Sequence, residues 1–230
     1  SVLNFLGHVH FINNTGSYGG GAQIRGAAYI AKEAIVMVEQ NNGKVSSGGF
    51  YFYQSGTADV HGTLHFHENK GCHGGGLRSY RGVIKVYDGG SLLVGFNNGM
   101  GCSGTGVYLS QSLLVSYPGS FVDVSNHSGG NMNGAGFYSL NSVVLFEGED
   151  KNDGPVRFRC SNNTGRTGGC MYMEGRTDNI PENQEKWKGH GALFSTGNSV
   201  AEITDNHVTN RGGAFYVSYD PSTPNDDTSV

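Results

Sequence analysis

The chain repeats a short grammar: an apolar residue, an Asn two or three positions later, and then a Gly-Gly-apolar step. Phe11-Ile12-Asn13-Asn14 leads to Gly20-Gly21-Ala22, Phe66-His67-Glu68-Asn69 to Gly75-Gly76-Leu77, and Ile203-Thr204-Asp205-Asn206 to Gly212-Gly213-Ala214. Weaker copies lie between them: Asn42 before Gly48-Gly49-Phe50, Phe96 to Gly99 before Thr105-Gly106-Val107, Asn126 before Ala135-Gly136-Phe137, and Cys160 to Asn163 before Gly168-Gly169-Cys170. The period is roughly 27 to 33 residues and roughly 44 at the last interval, which specifies a solenoid whose units bury apolar surface only against their neighbours.

Helical repeats share this period, so composition has to choose. Thirty-nine glycines spread along 230 residues leave no room for paired helices, since each interior Gly costs about 1 kcal/mol against Ala. The apolar residues instead alternate over short runs such as Ala34 to Val38, Val83 to Tyr87 and Val143 to Phe146, bounded by Gly, Asn and Ser. The sequence therefore predicts an all-β parallel β-helix of about seven coils, a rod roughly 30 to 35 Å long at the ~4.8 Å strand spacing. An inserted loop or short helix is expected near 174–190, around Pro181 and Trp187. Residues 1–219 form the β-helix in this reading, and 220–230 a Pro-rich polar tail or linker.

Aligned on the Gly-Gly step, one inward column reads Ala22, Phe50, Leu77, Val107, Phe137, Cys170, Ala214, and a second, two residues on, reads Ile24, Phe52, Ser79, Leu109, Ser139, Tyr172, Tyr216. The glycines serve a sharp corner, and the repeated Asn is expected to stack as an internal ladder. Between the two inward columns lies an outward one: Gln23, Tyr51, Arg78, Tyr108, Tyr138, Met171, Phe215. Its last four members, Tyr108, Tyr138, Met171 and Phe215, form the candidate binding strip, either a partner surface or a face covered by the 174–190 insertion.

Cys72 and Cys102 fall at equivalent places in consecutive coils. Cys160 occupies the column of Phe11 and Phe66, across a corner from Cys170. Two disulfides, Cys72–Cys102 and Cys160–Cys170, are therefore expected, and with them an oxidising, extracellular compartment. Sequons at Asn13, Asn126 and Asn162 point to glycosylation on outward loops. The net charge of −4, with no basic run, argues against a nucleic-acid partner, and no apolar stretch reaches the length of a membrane span. The chain opens within a repeat, as a mature or excised piece of a longer protein would.

The Phe-x-x-Asn and Gly-Gly-Ala pairs at Phe11–Ala22, Phe66–Leu77 and Ile203–Ala214 resemble the repeats of the chlamydial polymorphic outer-membrane proteins. The resemblance implies a right-handed β-helix, secretion and adhesion without catalysis; an autotransporter barrel is not present in this chain.

Parallel β-helices also carry polysaccharide lyases and hydrolases. Gly189-His190-Gly191 matches one short polygalacturonase-like element, but its Asn-Thr-Asp companion is missing, and Asp123, Glu147 and Glu202 are not expected in adjacent columns. The acidic stretch Glu147 to Asp153 reads as a solvated loop. His8-Val9-His10 and His65-Phe66-His67 lie two coils apart, too far to share a metal ion. The expectation is an extracellular structural or adhesive β-helix without catalytic residues, metal or cofactor, partnered by further protein subunits through its ends and tail or by cell-surface glycans or proteins. A carbohydrate-active enzyme on the same scaffold is the alternative.

Overall fold

A computed structural model describes residues 1–148, 154–175 and 192–219. The architecture is a β-solenoid, all-β and parallel, with no helix among the described residues. The expected insertion at 174–190 and the tail at 220–230 fall almost wholly outside the described residues.

Three seven-stranded sheets form the faces. The first contains β1 (Val2–Phe5), β5 (Ala27–Ile30), β9 (Thr57–Val60), β13 (Val83–Val86), β17 (Leu113–Ser116), β20 (Val143–Glu147) and β24 (Ala192–Thr196). The second contains β2 (His8–Ile12), β6 (Ile35–Glu39), β10 (Thr63–His67), β14 (Ser91–Gly95), β18 (Phe121–Ser125), β21 (Val156–Ser161) and β25 (Ser199–Thr204). The third contains β4 (Ala22–Ile24), β8 (Phe50–Tyr53), β12 (Leu77–Tyr80), β16 (Val107–Ser110), β19 (Phe137–Leu140), β23 (Met171–Gly175) and β27 (Phe215–Tyr219). Between second and third faces, β3 (Thr15–Gly16), β7 (Asn42–Gly43), β11 (Lys70–Gly71) and β15 (Asn98–Gly99) make a narrow four-stranded sheet, and β22 (Thr164–Thr167) pairs with β26 (His207–Arg211).

About seven coils were expected, and that count does not hold: the solenoid makes about five regular turns. From β1 to β20 the chain makes five uninterrupted turns, through β5, β9, β13 and β17. On the second face the register steps from Val9 to Val36, Leu64, Leu92 and Val122, then lengthens to reach Phe158 and Ala201. Counting each Gly-Gly step as one coil gave the larger number, although the last interval is longer than the regular period.

The core follows from alternation. On the second face Val36, Val38, Leu64, Phe66, Leu92, Val94, Val122 and Val124 are buried, while the residues between them face out. Phe11, Phe50 and Phe66 interlock edge to face with centroids 5.0 and 5.4 Å apart, the arrangement that ring quadrupoles favour. Cys160 continues the column of Phe66, Val94 and Val124, as expected.

An amide ladder closes the corner after the second face. Asn41 Oδ1 accepts both the backbone N–H and the Nδ2 of Asn14, at 2.9 and 3.0 Å. Asn69 and Asn97 repeat this one rung on. Each Nδ2 also donates back across the corner, Asn41 to Phe11 O and Asn69 to Val38 O, both at 2.7 Å. The residue before each ladder position holds a positive φ: Asn13, Gln40, Glu68, Phe96, Asn126, Asn162 and Asp205 span 52° to 63°. Non-glycine residues adopt that conformation at a cost, here offset by the amide bonds of the next residue.

The fifth rung departs from the asparagine rule. Asn126 is the positive-φ residue and His127 takes the ladder position. His127 Nδ1 accepts the Asn97 N–H at 3.2 Å, Nε2 faces Val94 O at 3.1 Å, and its own N–H donates to Asn163 Oδ1 at 3.1 Å. The ring thus reproduces an amide, one acceptor and one donor on a short stem, provided it is neutral with the proton on Nε2. A smaller serine ladder closes the corner after the third face, where Ser112 Oγ accepts Gly82 N–H and Ser142 Oγ accepts Ser112 N–H.

Candidate functional site

The third face carries an aromatic column on its outer side. Strand register places Gln23, Tyr51, Arg78, Tyr108, Tyr138, Tyr172 and Tyr216 one above another. The outward strip expected from sequence was right as far as Tyr138 and one residue out of phase thereafter. Met171 and Phe215 register with Phe137 on the inward side, where Met171 is fully buried and Phe215 packs against the core. Tyr172 and Tyr216, expected inward, take the outward places.

The cause lies in the glycines, which do two jobs at this corner. Gly74, Gly104, Gly134, Gly168 and Gly212 all have φ between 61° and 71°, and the first inward residue, Leu77, Val107, Phe137, Met171 or Phe215, comes three positions later. The residue just before the strand is Gly76, Gly106 or Gly136 for a different reason. A Cβ on Gly76 would lie 2.8 Å from Val94 Cγ1 and 2.9 Å from Asn97 Nδ2. Before β23 and β27 Cys170 and Ala214 fill that place, so alignment on the Gly-Gly pair slips by one.

Tyr108, Tyr138, Tyr172 and Tyr216 stack with centroids 5.0, 5.1 and 5.2 Å apart, the first two pairs at 7° and the last at 26° between planes. That spacing is the rung distance of the sheet, so one Tyr per coil at a fixed register produces a continuous pile. Arg78 substitutes for a ring further down, its guanidinium 4.9 Å from the centroid of Tyr51 and 5.3 Å from that of Tyr108. Stacking hides the ring faces: Tyr51, Tyr108 and Tyr138 are 4, 9 and 8 % exposed, so this stretch is a laminated rib and not the open apolar strip expected. The Tyr138 hydroxyl donates to Glu174; burial and then this bond push the phenol well above the ordinary tyrosine value.

At the upper end of the rib, Tyr172 and Tyr216 border a cleft of about 160 Å³ with Asn133, Arg166, Thr167, Asn210 and Arg211. The strands beneath are irregular. Thr164 pairs with His207 and Gly165 with Val208, but Thr167 pairs with Arg211, so the register shifts between Gly165 and Thr167. Asn133 bridges to Thr167 on the rung below, and Arg166 N–H bonds Met132 O at 2.8 Å. Arg166, Asn210 and Arg211 are exposed, and Tyr172 and Tyr216 half-buried. Sequence reasoning passed over all of these but the tyrosines, and counting three residues from Gly168 and Gly212 would have placed the latter correctly.

Both expected cysteine pairs are at bridging geometry. Cys72 and Cys102 have Cα atoms 4.9 Å apart, and Cys160 and Cys170 5.7 Å apart; such pairs are commoner in oxidising compartments than in reducing ones. His73 beside the first pair packs 4.9 Å from Tyr108, and burial followed by the Arg78 charge lowers its pKa. Asn13 and Asn162 are exposed at the positive-φ corner; Asn126 is half-buried and accepts a 2.8 Å hydrogen bond from Asn162 Nδ2.

Asp123 and Glu202, expected in unrelated columns, share one on the second face with Arg159 between them. Arg159 Nε donates to Asp123 Oδ2 at 3.0 Å, and this bond, foremost, raises the guanidinium pKa. The His8/His10 and His65/His67 pairs stand two rungs apart, with β6 between. His190 lies outside the described residues, as does most of the Glu147–Asp153 stretch. No described helix is long and apolar enough to cross a membrane. The chain matches no protein-family model, no curated protein and no solved structure.

Proposed function

We propose that the chain is an extracellular structural or adhesive β-solenoid, a segment of a surface protein or a subunit of a fibre, wound right-handed as parallel crossovers are. The observation that carries this reading is the tyrosine rib of the third face. Four rings held in one pile by strand register are pre-ordered, so a partner meeting the rim at Tyr172 and Tyr216 loses little side-chain freedom of the site on binding. Two disulfides tie corners of the same region, which suits an oxidising exterior. The partners are cell-surface glycans or proteins and further copies of the chain.

Beads coated with the folded protein should be retained by cell surfaces and by one another, and Tyr216→Ala with Tyr172→Ala should reduce that retention severalfold without unfolding the rod. Beads that adhere neither to cells nor to each other would refute the proposal. Release of unsaturated or reducing ends from acidic polysaccharides would replace it with a carbohydrate-active enzyme.

A further inference from the structure

We propose that the cleft beside Tyr172 and Tyr216 holds one acidic sugar residue of a glycan, its carboxylate or sulfate between Arg166 and Arg211 and its ring against the tyrosines. The inference deepens the adhesive reading and rests on it.

The chemistry of the lining selects this ligand. The protein carries a net charge of −4, yet the described residues that line the cleft include two guanidiniums and no carboxylate, which favours an anion at this spot. Guanidiniums present planar forks that suit carboxylate and sulfate oxygens. Among the described residues Arg211 makes a 3.5 Å contact from Nη1 to the Tyr216 hydroxyl, and Arg166 and Arg211 are both exposed. The side-chain amides of Asn133 and Asn210 add neutral donors and acceptors of the kind sugar hydroxyls require. Tyr172 and Tyr216, fixed by the pile below them, supply an apolar rim with a polar tip.

Size and position fit the same ligand. A cleft of about 160 Å³ is well under the roughly 300 Å³ at which pockets for drug-sized molecules begin, so it accommodates one ring and its substituent while the rest of a glycan lies outside. The cleft also sits where β22 and β26 lose their regular register, and bulges of this kind re-aim side chains at binding sites. Here the step between Gly165 and Thr167 sets Arg166 on one rung and Arg211 on the next around a single depression.

The test is a calorimetric titration at low ionic strength with three probes: a sulfated, uronate-containing disaccharide from heparin, a neutral disaccharide, and sodium sulfate. The acidic disaccharide is expected to bind in the millimolar range or tighter, at least tenfold better than either other probe. Arg166→Gln and Arg211→Gln should each weaken it about fivefold or more. Tyr216→Leu should weaken the disaccharide severalfold while leaving weak sulfate binding unchanged. Circular dichroism and melting confirm that each variant is folded, and Lys44→Gln, on the exposed corner at β7, is the charge control. Equal binding of sulfate and disaccharide, equal binding of the neutral sugar, or insensitivity to the double arginine variant overturns the proposal. If the double variant still adheres to cells as wild type does, this site is wrong and the adhesive reading stands; if wild type does not adhere, the wider reading fails first.

Discussion

Replacing His127 by Asn should remove the share of the solenoid's loss of stability between neutral pH and pH 4 that this imidazole causes, and barely change stability at pH 7.5. His127 is 1 % exposed, and burial depresses its pKa from 6.5 to about 4 against the opposing effects of the Asn97 and Val94 backbone bonds and the Asp123 charge. In the unfolded chain the imidazole protonates near its ordinary value; in the folded chain it stays neutral, because a proton on Nδ1 would remove the acceptor for Asn97 N–H. The unfolded state therefore binds more protons between the two pKa values, and stability falls as pH falls through that window. At about 1.36 kcal/mol per unit the full loss is roughly 3 kcal/mol, complete near pH 4. Asn fits because Asn97, one rung below, occupies the same place beside Gly76 that His127 occupies beside Gly106. Urea unfolding of the oxidised protein at half-unit steps from pH 7.5 to 4.5 measures both slopes. His65 and His73, whose pKa values burial also lowers, contribute equally to both proteins, so the difference between the curves isolates His127. Parallel curves would refute the ladder assignment, as would an Asn variant crippled at pH 7.5.

Phe66→Ala should cost about 3 to 5 kcal/mol by chemical denaturation, since Phe66 is fully buried and meets Phe50 edge-on at 5.4 Å; a cost under about 1 kcal/mol would mean the inward column is wrong. Peptide mapping without reduction should recover Cys72–Cys102 and Cys160–Cys170, and four alkylatable thiols in the native protein would remove the argument for an oxidising compartment. Tyr138→Phe should lower stability by about 1 to 3 kcal/mol through loss of the hydrogen bond to Glu174, whereas Tyr18→Phe, on a half-exposed ring, should be neutral within error. Gly74→Ala should be more damaging than Ala135→Gly, because Gly74 has φ +67° with Leu77 O against its missing Cβ.

Much of this architecture can be read from residue order because a solenoid writes its contacts at a constant interval. The pairing of Cys72 with Cys102, the seat of Cys160 in the column of Phe66, and the ladder places of Asn14 and Asn69 follow from the period, whereas the second and fourth rungs are Asn41 and Asn97, where the repeat was read through Asn42 and Gly99. What escapes has two physical sources. One residue type can meet two demands, as glycine does at the third-face corner, and a pattern match cannot separate a positive φ at Gly168 from a close approach at Gly76. Conversely, two residue types can meet one demand, as Asn and His do in the ladder, so His127 passes unnoticed beside the more conspicuous Asn126. Exposure was misjudged for a third reason: an outward side chain in a single sheet faces solvent, but when every rung repeats a tyrosine the neighbours themselves exclude water. The cleft was hidden because Arg166 owes its place to a register shift, which leaves no periodic trace.

The positive-φ corner has a further consequence. Asn13, Gln40, Glu68, Phe96, Asn126, Asn162 and Asp205 share one backbone conformation while differing in charge, size and polarity, because the amide or imidazole beside each one fixes the main chain and leaves the side chain little to do for folding. The corner is in effect a graduated rule, one interchangeable mark every ~4.8 Å. Chemistry placed along that edge can change residue by residue without altering the spacing, so a ligand longer than a single rung would be read by distance as much as by the identity of any one group.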